Sequence, residues 1–379
     1  MVNKQKCIFV SNYVESKEFE RIYTKPIKPG IQIQKFDRLI VEGLEQNDVN
    51  VVCYSTIPVS KVVLDKKILK LKNTDTFHYS LCINIPILKD IYVLIGTSFK
   101  LLFTSFDYCV LDPLSPANTL AASLVCKLKH KECNAVITDL PEFMTSNKLY
   151  RKITNMVISN SSSYTFLSSK MNDRLNKKNK PYVIVEGFAD DVNPKEYEHN
   201  NEIVYAGNLS VDNGVMNLVN AFRKSSLHES CLLRLFGNGN ATDLINEIEK
   251  EDKHIKYEGV RPNKEVLEVL YRAKLLINPR PTNEEFTFYS FPSKTIEYLG
   301  TGTPFASTEL YAIDKEYFNY IESLKNGTEE ELLNFFNHFN DIDYSSRLDK
   351  ARKGKEFIAL NKNKKAQTKK MLTILDRNK

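Results

Sequence analysis

Leu276–Thr308 reads LINPRPTNEEFTFYSFPSKTIEYLGTGTPFAST. A short apolar run ends at Asn278, and a polar and aromatic loop, 279–291, follows it. Pro292 then opens a helix, because its fixed φ suits a first helical turn, and Ser290 is the expected cap. Gly300 and Gly302 end that helix, and a second apolar run, Thr303–Ala306, comes next. This is one strand–helix–strand step of a parallel sheet, with its polar loop where the first strand ends.

The same alternation extends in both directions. Towards the C-terminal half it gives strands at Ile203–Ala206, Leu232–Phe236, Ile255–Tyr257 and Leu275–Asn278. Helices are expected near Val215–Lys224, Thr242–Glu249, Lys264–Ala273 and Ser293–Leu299. In the first half, strands are expected at Lys6–Val10, Val49–Tyr54, Tyr108–Leu111, Asn134–Thr138, Tyr164–Ser168 and Tyr182–Val185. Helical stretches such as Lys35–Gln46 and Ser115–Leu128 separate them. Short apolar strands alternating with helices imply parallel sheets covered on both faces. The polar, aperiodic segment Ala189–Asn201 is the expected linker. The fold class is thus α/β, with two Rossmann-like doubly wound domains facing a cleft. The first spans 1–190 and the second 202–355, and a charged helix over 356–379 crosses back. Open α/β sheets bind ligands at the carboxyl ends of their strands, which puts the site at strand-to-helix turns.

Composition bounds the function. A chain of 379 residues, 42% hydrophobic and 26% charged, supports two cored domains. A net charge of +6 is far from the dense basic stripe of a nucleic-acid binder, and no nucleic acid is expected as partner. Lysines cluster at Lys66, Lys67, Lys70 and Lys72, at Lys127, Lys129 and Lys131, and at Lys177, Lys178 and Lys180. These are solvated faces or points of attraction to an anionic surface. Seven cysteines without a C-x-x-C pair read as buried thiols of a reducing compartment. The N-terminus shows no signal-peptide pattern. Lys89, Asp90, Lys100 and Asp107 interrupt the most apolar region, Leu81–Leu111, so it does not span a bilayer; it reads as a buried helix or one lying against a membrane. The expected location is cytoplasmic, with a possible peripheral contact at the inner face of the membrane.

The loop and helix after Asn278 carry the chemistry. A helix start offers free N–H groups to an anion. Lys294 lies in the first turn, where the dipole disfavours a cation. A bound diphosphate offsets that cost; otherwise Lys294 is a surface lysine paired with Glu297 at i,i+3. Arg280, directly after the strand, aims a second cation at the same point. Asp139 follows another strand and is either an acceptor-orienting acid or a turn residue.

Phe291-Pro-Ser-Lys-Thr-Ile-Glu-Tyr-Leu-Gly-Thr-Gly-Thr-Pro-Phe-Ala-Ser resembles the donor-binding signature of retaining family-4 (group 1) glycosyltransferases of GT-B fold. It is most similar to bacterial members that build capsular polysaccharide and exopolysaccharide. Tyr205-Ala-Gly-Asn-Leu, Asn213-Gly, Leu235-Phe-Gly-Asn-Gly and Tyr257-Glu-Gly-Val-Arg resemble the same domain at the expected intervals, and Ile137-Thr-Asp-Leu-Pro and Val185-Glu-Gly resemble the N-terminal one. The resemblance implies transfer of a sugar from a nucleotide-sugar donor, UDP being the commonest carrier. The implied acceptor is a glycan, lipid-linked, and transfer proceeds with retention, without metal or other cofactor. Glu297 is implied on the ribose hydroxyls, and the backbone of Val260 and Arg261 at the nucleobase. Ser293, Ser290, Tyr289, Glu285, Gly207, Asn208 and Gly237 complete the implied donor set. Arg280, Lys294 and Asp139 are the implied catalytic set, the first two on the diphosphate.

Two positions depart from the pattern. Tyr289 stands where the family's first motif glutamate is expected, and Asn208 and Asn213 replace its usual phosphate-binding Arg and Lys. A non-catalytic partner subunit of a transferase complex is therefore an alternative, as is a nucleotide-sugar epimerase of the same fold. Other classes lack their marks. Gly237-Asn-Gly239 has no third glycine for a dinucleotide fingerprint, no Gly-x4-Gly-Lys is present, and the six histidines are scattered without metal-ligand spacing.

Overall fold

The computed structural model describes residues 4–24, 28–59, 68–85 and 87–375. Met1–Asn3, Lys66, Lys67 and the last four residues of the expected tail lie outside them.

The chain forms two compact units, 1–188 with 364–379 and 189–363. The first carries β1 (Lys6–Ser11), α1 (Ile31–Gln46), β2 (Asn50–Ser55), β3 (Phe77–Tyr79), α2 (Leu88–Leu102), β4 (Tyr108–Leu111), α3 (Pro116–Leu128), β5 (Glu132–Ile137), α4 (Lys148–Asn160), β6 (Ser163–Phe166) and β7 (Tyr182–Ile184). Its sheet runs β3-β2-β1-β4-β5-β6-β7, all pairs parallel. The alternate side chains Cys7 and Phe9 enter one core, and Ile8 and Val10 enter the other. Burial on both faces explains why these strands read as unbroken apolar runs. All seven cysteines are buried and free.

The second unit carries β8 (Glu202–Asn208), α5 (Val215–Lys224), β9 (Leu232–Asn238), α6 (Thr242–Glu251), β10 (Ile255–Gly259), α7 (Asn263–Arg272), β11 (Leu275–Asn278), α8 (Lys294–Leu299), β12 (Phe305–Thr308), β13 (Glu322–Leu324), α9 (Glu329–Asn337) and α10 (Tyr344–Asn361). Its parallel sheet runs β10-β9-β8-β11-β12-β13. The order reverses at β8, where β9 and β11 flank it, so β8 marks the switch point at which such sheets bind ligands.

The segment expected as a linker is part of the second unit. Tyr197 stacks on Tyr271 at 4.8 Å, His199 Nδ1 lies 2.7 Å from the Ala273 carbonyl, and Asn200 N–H donates to Arg272 O at 2.8 Å. Aromatic and backbone contacts fasten a stretch whose polarity conceals them. The expected single tail is two helices. α10 stays with the second unit, and α11 (Lys364–Leu375) belongs to the first, where it packs on α1. No helix among the described residues is long and apolar enough to cross a membrane.

Candidate functional site

Four adjacent strands of the second unit end at one edge, and their ends hold Gly207 and Asn208 (β8), Gly237 (β9), Val260 and Arg261 (after β10) and Arg280 (after β11). Gly207 and Gly237 are register partners. Gly237 has φ +127°, and a Cβ there would fall 1.8 Å from the Gly207 carbonyl oxygen. Only glycine allows the two backbones to end this close. The turn that follows β8 is braced by its neighbours. Tyr205 OH and Asn213 Nδ2 both donate to Asn208 O, at 3.0 and 3.2 Å, and Tyr257 OH donates to Gly237 O at 3.2 Å. Asn208 and Asn213 thus fix the shape of the turn rather than its charge.

Arg280 brings the cation. Thr308 Oγ1 donates to its carbonyl at 2.7 Å, and its guanidinium lies 5.4 Å over the Phe286 ring. Nη1 is buried and has no hydrogen-bond partner among the described residues. Burial pulls the guanidinium pKa down, with only the Tyr205 hydroxyl opposing it. Charged hydrogen-bond donors are seldom left buried and unmatched, since desolvation costs more than a neutral contact returns. A site that keeps such a group is suited to an anion.

The helix carrying Lys294 and Glu297 differs from expectation at its start. α8 begins at Lys294, with Ser293 in helical geometry before it and no side-chain cap, so Ser290 is not its cap. Thr295 N–H bonds Pro292 O at 2.8 Å, a tight i,i+3 turn, and the wider helical bond, Glu297 N–H to Ser293 O, is 3.5 Å long. Six residues make a weak dipole, so the cations matter more here than the helix end. Tyr298, fully buried, holds α8 to the sheet: its hydroxyl accepts from Ala206 N–H at 2.7 Å and donates to Ala206 O at 3.1 Å. Beside it, Lys294 Nζ and Glu297 Oε2 form an ion pair of 2.8 Å. Tyr289 and Ser290 are half-buried in the preceding loop, while Glu285 and Ser293 are exposed. Val260 is exposed, and Arg261 turns back to donate to Glu258 O at 2.9 Å.

In the first unit, Asp139 follows β5. Its residue surface is open to solvent while protein packs around its carboxyl group, and that partial desolvation raises its pKa. Beside it, Asp112 follows β4, is fully buried and is pushed up to about 7 by desolvation, with the Asp139 charge adding to the rise. Asp37 on α1 is buried as well and raised by desolvation and by Asp112. Asp112 Oδ2 and Asp37 Oδ2 lack hydrogen-bond partners among the described residues. Sequence reasoning named Asp139 and missed these two. The signal was available for Asp112: an acid directly after four apolar strand residues sits at a ligand-facing edge. Among the described residues no three His, Cys, Asp or Glu side chains are grouped to hold a metal ion.

The family described as glycosyl transferases group 1 matches residues 200–327. No curated protein matches the sequence. Similar solved structures include the lipopolysaccharide outer core galactosyltransferase WaaB, with 11% identity and TM-score 0.67 over 99% of this chain and 100% of that one. HepE of Anabaena in complex with UDP gives 11% identity and TM-score 0.65 over 98% and 100%. The sucrose-phosphate synthase of Thermosynechococcus elongatus gives 11% and 0.65 over 99% of each chain. The chain therefore has the GT-B fold, and its residues 200–327 match the family described as glycosyl transferases group 1.

Proposed function

We propose that the chain is a retaining, metal-independent glycosyltransferase that takes a UDP-sugar and glycosylates a lipid-linked glycan in cell-surface polysaccharide synthesis. The observation that carries this reading is Nη1 of Arg280, just past β11, buried and unmatched among the described residues. A diphosphate is the anion that such a cation suits, at a switch point where backbones end close together. UDP is favoured because HepE, of the same fold, is known in complexes with UDP and with UDP-glucose.

In the reaction, the bond from the anomeric carbon to the β-phosphate oxygen breaks, and the acceptor oxygen bonds that carbon on the same face. The acceptor's proton passes to the departing phosphate oxygen. Arg280 neutralises the charge growing on the diphosphate, which is the term that lowers the barrier most in such a mechanism. Lys294 supplies a second cation by leaving its pairing with Glu297, which turns to the ribose diol as a two-fold acceptor. Asp139 orients the acceptor hydroxyl.

Calorimetry with UDP on the full chain tests the donor site. Binding is expected, and Arg280→Met is expected to weaken it at least about tenfold, since a hydrogen bond to a charged group contributes about 1.5–3 kcal/mol. Absence of affinity for any nucleoside diphosphate sinks the reading. A specific observation favours the partner-subunit alternative: Asn213 and Asn208 bond within the turn where the resembled family places cations. The same calorimetry separates the two, since no affinity for any UDP, GDP, ADP or TDP species decides for the partner subunit.

A further inference from the structure

Helix α2 turns the wrong face to water. Leu88, Ile91, Tyr92, Ile95, Phe99 and Leu102 are exposed, and Ile95 and Phe99 are 63% and 64% accessible. Steps of three and four residues place all six on one arc of the helix. Val93, Thr97 and Leu101, on the opposite side, are buried. No polar side chain interrupts the arc, and Lys89 and Lys100 border it. Phe103, 77% exposed, continues it and packs its ring 5.0 Å from that of Phe99. Single exposed apolar residues need no explanation, but a continuous stripe marks an interaction surface.

Charge identifies the partner. α2 packs on α3, and α3 packs on α4, so the three form one layer. Within their bounds they hold Lys89, Lys100, Lys127, Lys148, Arg151 and Lys152 against one acid, Asp90: a net of +5 out of the chain's +6. Lys148, Arg151 and Lys152 line an open groove of about 640 Å³ along α4, and the groove's one acid, Glu142, is paired with Arg174 at 2.7 Å. A two-fold dimer through this layer would bring the same lysines face to face, which like-charge repulsion disfavours. An anionic surface with an apolar interior satisfies both features. The stripe enters the acyl boundary, and the basic side chains extend to the headgroups.

We infer that the outer face of α2, α3 and α4 docks the chain on an anionic lipid bilayer. The inference rests on residues separate from the donor site, so the transferase reading and this one fail independently.

Flotation of the full chain with phosphatidylcholine vesicles, with and without phosphatidylglycerol, tests it. The wild type is expected to float with the anionic vesicles, to stay behind with phosphatidylcholine alone, and to be released by high salt. Ile95→Gln with Phe99→Gln, and separately Lys148→Gln with Arg151→Gln and Lys152→Gln, are each expected to lower partitioning at least about tenfold. These side chains are surface-accessible, so circular dichroism and UDP binding should match the wild type. Failure of the wild type to float, or flotation unaffected by both sets, overturns the inference. So does a dimer in lipid-free sedimentation velocity that the Ile95 and Phe99 changes dissolve, because the stripe is then a self-interface.

Discussion

Arg280 and Asp112 each stand just past a strand, and each carries a buried atom without a hydrogen-bond partner among the described residues. They respond differently to replacement. Removing a buried, unmatched cation relieves the folded chain, so Arg280→Met is expected to leave the melting temperature unchanged or raise it while the UDP-induced shift disappears. A variant that melts early and still binds UDP shows that the guanidinium is structural. For Asp112 the sign follows from its proton. The folded chain holds that proton up to about pH 7, whereas the unfolded chain releases it near the ordinary carboxylate value of about 4. Stability is therefore fully present at low pH and falls as pH rises through that window, with Asp37 adding the same sign. Asp112→Asn, the isostere of the protonated form, is expected to resist urea better than wild type at pH 8, with the gain vanishing near pH 4. An equal gain at both pH values would mean that the proton is not the cause. Arg280 was legible in the sequence because it adjoins an unmistakable strand. Asp37 was not, because a carboxylate on the inner face of a helix looks like any solvated acid until the packing around it is known.

The strand ends of the second unit are held by backbone geometry, and glycine position decides what each element tolerates. Gly237→Ala would put a Cβ against the Gly207 carbonyl at a positive φ and should destabilise the chain by about 3 kcal/mol or more. Gly96→Ala, in the middle of α2 where a Cβ meets nothing within 4 Å, should stabilise by about 0.5–1 kcal/mol. Urea unfolding of the pair checks both, and a mild effect at Gly237 would mean that the two strand ends separate freely. The sequence showed β8, β9, β11 and most helices of the second unit because buried parallel strands are apolar throughout. It hid β3, whose Phe77-His78-Tyr79 is too short to show a period, and the true start of α8, where Pro292 begins a tight turn instead of a helix. It also left α2 open between a core helix and a membrane-facing one, since an apolar arc looks the same whichever way it points.

Chain order and unit membership part company at the C-terminus. α11 follows the whole second unit in sequence, yet Met371, Ile374 and Leu375 are buried in the first. Gln367 Nε2 donates to Gly187 O at 2.8 Å, Lys364 pairs with Glu42 at 2.7 Å, and a Cβ on Gly43 would fall 2.4 Å from Lys364 O, so α1 and α11 approach backbone to backbone. Pattern alone announced one charged helix crossing back, because its lysines dominate, and it did not show the break before α11 or the three buried apolar side chains that α11 contributes. Their energetic weight is larger than their number. Each buried side chain of this size contributes about 1.5–3 kcal/mol, so together they amount to much of the 5–15 kcal/mol that holds a domain folded. Ending the chain at Asn363 is therefore expected to unfold residues 1–188 while leaving 189–363 intact, an effect at the far end of the sequence from the deletion. Hydrogen exchange read peptide by peptide tests this: protection should vanish in β1, β2 and α1 and persist in β8, β9 and β11. Gly43→Ala should produce a milder form of the same pattern by forcing α11 outward. If truncation instead exposes the second unit, or leaves both protected, α11 is a surface strap and not part of the first core.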